Sequence, residues 1–93
     1  METQSFTPPE RLFSVEQLAR LLEITSEVDC ECPNHLSRIV DGLLAFEEYS
    51  ANCESRDAED AALHAYLHKE TAKARAIMET ALVELVRFEK IEL

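Results

Sequence analysis

Apolar positions recur every three or four residues along most of this chain, the period of a helix that turns one face inward. In the first run, Val15, Leu18, Leu21 and Leu22 make the stripe. Ser14 precedes it as an N-cap, and Gln17 comes after at capping-box spacing. Thr25 and Ser26 dilute the pattern, so this helix stops there or continues toward Asp29. Pro33 marks the next start, because proline suits the first helical position and leaves Cys32 as the N-cap. Leu36, Ile39, Val40, Leu43, Leu44, Phe46 and Tyr49 then carry the period, and an end is expected near Cys53–Glu54.

The stretch Ser55-Arg56-Asp57 is a short polar turn, in which Arg56 makes at most an exposed ion pair with Asp57 or Glu54. Asp57 caps the last helix, and Glu59 and Asp60 suit the positive end of that helix. Leu63, Tyr66, Leu67, Ala74, Ile77, Met78, Ala81, Leu82, Leu85 and Phe88 extend the stripe. With no glycine or proline over residues 57–93, the last helix can reach roughly 30 residues, about 45 Å at 1.5 Å per residue.

A short loop between two long helices makes them antiparallel neighbours. Two helices cannot close a core alone. The expected fold is therefore all-α: an antiparallel helical hairpin plus a short N-terminal helix, completed to a four-helix bundle by a homodimer. Residues 1–10, broken by Pro8-Pro9, read as a flexible N-terminal arm from which Phe6 can dock, and residues 11–93 as a single helical domain.

Composition narrows the function. Nineteen acidic against nine basic residues give a formal net charge of −10. That field repels phosphate backbones and anionic membranes, and no basic patch offsets it, so direct nucleic-acid binding is not expected. No run of about 18 apolar residues is present, and no basic-then-apolar leader opens the chain; a cytoplasmic protein is expected. Three cysteines fit a reducing compartment better than a disulfide framework. A single glycine cannot build a phosphate-cradling loop, and no Ser–His–Asp order is present, so no enzyme is expected.

The densest chemical signal is Cys30-Glu31-Cys32-Pro33-Asn34-His35. Two thiols and an imidazole suit zinc or another transition metal. A thiol at a helix N-terminus is also drawn toward thiolate, which serves ligation or redox chemistry alike. The spacing is not that of a zinc finger, and an ordinary cysteine pair explains it equally well. Cys53, His64 and His68 are the candidates for a further ligand. With a turn near residue 56, position 35 falls opposite roughly position 77, so His35 and His64 cannot share a metal within one hairpin, though they could across a dimer. His64 and His68 are four apart on one face, which permits chelation but is more often plain surface. Glu47 and Glu48 opposite them suggest a di-iron bundle, but the Glu-x-x-His motif is missing, and Lys73, Arg75 and Glu79 stand where ligands would be sought. Cys32-Pro33 is also the dipeptide of some haem-responsive motifs, although a helix start already explains the proline. Tyr49 reads as a core aromatic with its hydroxyl at the rim.

CECPNHL, AFEEYSANCESRDAEDAALHAYLH and ARAIMETAL together resemble a helical domain on the carboxy-terminal side of some bacterial MerR-type transcription regulators, and FSVEQLARLLEIT matches its lead-in helix. The resemblance covers roughly residues 11–86. It implies a sensor or dimerisation part of a dimeric regulator whose DNA-binding domain lies elsewhere. The matching positions are Cys30, Cys32, Pro33, His35, Glu47, Tyr49, Cys53, Arg56, Asp57, His64 and His68. The leading expectation is a non-enzymatic regulatory or dimerisation module that takes a transition metal on its Cys/His cluster. A ligand-free protein-interaction module and a ferritin-like or thiol redox protein are the alternatives.

Overall fold

The computed structural model describes residues 6–24 and 30–93, which form three helices and, among the described residues, no strand. α1 spans Val15–Glu23, α2 Cys32–Asn52 and α3 Ala58–Glu89. The molecule is elongated, 52 × 22 × 18 Å, because a 32-residue helix is itself about 48 Å long. Residues 1–5 and 25–29, including the expected continuation toward Asp29, lie outside the described residues.

Local chemistry sets the ends of the helices. Ser14 Oγ accepts from the Gln17 N–H at 3.0 Å, and the Gln17 side chain accepts from the Ser14 N–H at 2.9 Å, a complete capping box. Ile24 leaves the helix in an extended conformation. α2 begins one residue earlier than expected: Cys32 is its first helical residue and Glu31, with no capping side-chain bond, takes the cap position. α2 ends at Asn52, with Cys53 extended beyond it. Asp57 caps α3, its Oδ1 accepting from the Asp60 N–H at 2.8 Å. α3 stops at Lys90, a left-handed residue (φ 57°), and the Ile91 N–H reaches back to the Val86 carbonyl at 3.0 Å. That closure folds Ile91 into the core.

The inward face differs from the expected stripe. α2 and α3 pack along a seam of Ser37, Val40, Leu44, Glu47 and Ser50 on one helix and Ala72, Arg75, Glu79 and Leu82 on the other, all buried. These positions follow steps of three and four, so they form a true helix face, but five of the nine are polar. Of the apolar stripe read for α3, Leu82 alone is fully buried; Leu63, Tyr66, Ile77 and Phe88 are exposed. Ile39, Phe46 and Tyr49 of α2 are likewise exposed, so Tyr49 is no core aromatic. Leu18 and Leu21 of α1, with Phe13 and Ile24, complete the apolar core against Val40, Leu44, Leu82 and Ile91. Asn34 fastens α1 by donating from Nδ2 to the carbonyls of Leu21, Leu22 and Ile24, at 3.1, 3.2 and 2.7 Å.

Candidate functional site

The polar half of the seam is a buried ionic cluster. Arg75, 1% exposed, donates from Nε and Nη2 to the two carboxylate oxygens of Glu47 at 2.9 and 3.0 Å, and from Nη1 to Glu79 Oε1 at 2.9 Å. Planar guanidinium and carboxylate match in a two-point fork, so Glu47 joins α2 to α3 by a geometry that lysine could not copy. The remaining donors go to the segment before α1: Nη2 to the Pro9 carbonyl at 2.8 Å and Nη1 to the Glu10 carbonyl at 3.2 Å. Glu79 Oε2 accepts from the Leu12 N–H at 3.0 Å. Hydrogen bonds from Glu47 hold the Arg75 guanidinium further up than its ordinary value, against its burial and with help from Glu79. No buried side-chain nitrogen or oxygen among the described residues lacks a partner. The cluster is thus saturated. Its chemistry is that of a lock, not of an acid–base pair waiting for substrate.

This lock also places the segment read as a flexible arm. Phe6 of that segment packs edge-on against His68, with ring centroids 5.8 Å apart, and just beyond it Arg11 pairs with Glu48 at 2.6 Å. The signal was present in the sequence. Arg75 and Glu79 are four apart on the face that also carries Ala72 and Leu82, but an apolar-only reading passes over them.

The candidate metal ligands fall into two sets at opposite ends of α2. Cys30, Cys32 and His35 stand at its start, where Cys30 Sγ lies 3.8 Å from Glu89 Oε2 and His35 Nε2 lies 3.2 Å from Glu31 Oε1. Both cysteines are exposed. Cys30 first, then burial and Glu89, raise the Cys32 thiol above its ordinary value.

Cys53, His64 and His68 line a depression of about 300 Å³ at the other end. Each imidazole there has protein partners. His64 lies 3.2 Å from Ser55 Oγ and 3.6 Å from Asp60 Oδ1, and His68 Nδ1 lies 3.1 Å from the Glu47 carbonyl. Arg56 meets neither Glu54 nor Asp57: its backbone N–H and Nε both donate to Asp60 Oδ2, at 3.0 and 3.3 Å. These bonds, with a contribution from His64, hold the Asp60 carboxyl below its ordinary value. Cys53 in turn raises the Tyr49 hydroxyl above its ordinary value. Among the described residues, no three His, Cys, Asp and Glu side chains gather to hold a metal ion.

Large apolar side chains also stand open on α3, with Glu70 and Lys73 on the same side between them. Leu63, Tyr66, Ile77 and Phe88 fall within a narrow sector of α3, since steps of 11 and 14 residues return to nearly the same side at about 100° per residue. That sector lies about half a turn from the buried Ala72, Arg75, Glu79 and Leu82. Ile77 is 66% and Phe88 80% exposed. Among the described residues, no helix is long and apolar enough to cross a membrane. Comparison with protein-family models, with curated proteins and with solved structures finds no match to this chain.

Proposed function

We propose that this chain is a non-enzymatic regulatory module that works by self-association: the outward apolar stripe of α3 is the surface on which a second copy docks. The observation that carries this reading is the stripe itself, four large apolar side chains exposed along one side of a helix whose opposite side is buried. Scattered surface leucines need no explanation, but an aligned row extending over 25 residues, about 37 Å of helix, does.

The row is also nearly palindromic, which favours a twin over a foreign partner. An antiparallel α3 pair centred between Ala74 and Ile77 sets Leu63 against Phe88 of the second copy and Ala74 against Ile77. Such a two-fold contact uses one patch twice. The four exposed side chains offer on the order of 500 Å² per copy, about 1,000 Å² for the pair, which is the lower bound for a specific interface. In this arrangement the α2–α3 hairpins of two copies lie together as a four-helix assembly. The regulatory setting rests on the residue pattern that resembles the MerR-type carboxy-terminal domain.

Sedimentation of the full chain tests the reading. The wild type is expected to be a dimer at about 100 µM, and Ile77→Asp a monomer with unchanged helical circular dichroism. A monomeric wild type, or a dimer that survives Ile77→Asp, overturns it.

A further inference from the structure

We propose that Cys30 and Cys32 form a vicinal dithiol that exchanges with small-molecule disulfides, and that its closure to an intramolecular disulfide loosens α1 from α2. The two thiols stand one residue apart, both exposed, where the chain enters α2. A single residue, Glu31, separates them along the chain, and Cys30 Sγ meets Glu89 Oε2 at 3.8 Å. Access and proximity, the two requirements of disulfide exchange, are therefore met together.

The backbone between the thiols can adapt. Glu31 sits outside the helix (φ −92°, ψ 13°) and caps nothing with its side chain. The bond from the His35 N–H to its carbonyl, at 3.0 Å, is the one main-chain tie among the described residues that holds it to the first turn. Two residues beyond Cys32, Asn34 grips three carbonyls at the end of α1. A disulfide that closes around Glu31 has to turn the peptide units on either side of it. The first turn of α2 moves with them, and Asn34 carries the movement to Leu21, Leu22 and Ile24.

The exchange balances. Cys30 loses its proton to solvent, and its thiolate attacks one sulfur of the small disulfide; the S–S bond breaks and one small thiolate leaves. Cys32, deprotonated in turn, attacks the Cys30 sulfur of the mixed disulfide and expels the second small thiolate. Two protein thiols are oxidised and one small disulfide is reduced to two thiols. Cys53, at the other end of α2 and about 32 Å away along the helix axis, stays outside the reaction.

The test uses the full chain, reduced and then incubated with glutathione disulfide. Intact mass is expected to fall by two hydrogens, with Cys53 alone still open to alkylation. Cys32→Ser is expected instead to stop at a mixed disulfide on Cys30. Amide hydrogen exchange over Leu18–Ile24 is expected to speed up several-fold on oxidation of the wild type and to stay unchanged in Cys32→Ser. Stable mixed disulfides in the wild type, or disulfide-linked dimers in place of the internal bond, overturn the site. An internal disulfide with unaltered exchange in α1 overturns the coupling. Because dimerisation is read separately by sedimentation, either failure leaves the self-association reading to stand or fall by itself.

Discussion

Replacing Arg75 by methionine is the sharpest test of how the helices are held together. Methionine fills similar volume and keeps helix propensity, so the lost quantity is charge and hydrogen bonding. The substitution deletes five donated bonds, three to carboxylates and two to the Pro9 and Glu10 carbonyls. It leaves Glu47, 6% exposed, and Glu79, 0% exposed, facing each other without a cation. Removing one partner from a buried ion cluster costs about 3–5 kcal/mol. A chain of this length has roughly 5–14 kcal/mol in all, so Arg75→Met should forfeit about a fifth of its stability or more. Urea unfolding followed by helical circular dichroism measures this. Trypsin supplies a second readout: with the Pro9 and Glu10 carbonyls released, cleavage after Arg11 should accelerate. The reasoning also fixes the sign of a rescue. Adding Glu47→Met and Glu79→Gln to Arg75→Met removes both stranded charges, while the amide oxygen introduced by Glu79→Gln still accepts from the Leu12 N–H. The triple variant should therefore be more stable than the single one. A cost below about 1 kcal/mol for Arg75→Met, or a triple variant weaker than the single, would refute the account.

Two smaller perturbations probe local terms. Gly42 lies inside α2, exposed, with nothing within 4 Å of a Cβ built on it. Gly42→Ala should stabilise the chain by about 0.5–1 kcal/mol in thermal melts, and a loss would mean that a neighbour crowds this face of α2. Asp60 is held below its ordinary value by Arg56 and, less strongly, by His64. The folded state therefore binds its proton less readily than the unfolded chain, and its contribution is present above the ordinary carboxylate range and lost as pH falls through the lower folded value. Asp60→Asn should accordingly melt below the wild type at pH 7, with the gap closing below about pH 4. A gap constant across that range would deny the Arg56 contact its part.

Helix type and helix limits were legible because they depend on neighbours in sequence. The Ser14–Gln17 capping box, the Asp57 cap and the proline near the start of α2 are short-range chemistry, and each appears where the pattern put it. Cys32 moved from the cap into the helix because Glu31 took the non-helical position, a one-residue matter that no side-chain bond enforces. The separation of His35 from His64 was legible from helix length alone, but whether three donors converge within either set depends on how side chains leave the backbone.

The chain alone determined that the described residues would be helical, with breaks before Pro33 and around Ser55–Asp57, since turn-formers are few and the apolar period is helical. Tertiary structure decided which face of those helices is inside. Burial depends on the summed surroundings of a position: Arg75 can be sealed in because Glu47 from α2, Glu79 from its own helix and two carbonyls before α1 arrive together to satisfy it. Of the apolar positions of α3, Leu82 is turned inward while Leu63, Tyr66, Ile77 and Phe88 are left outside.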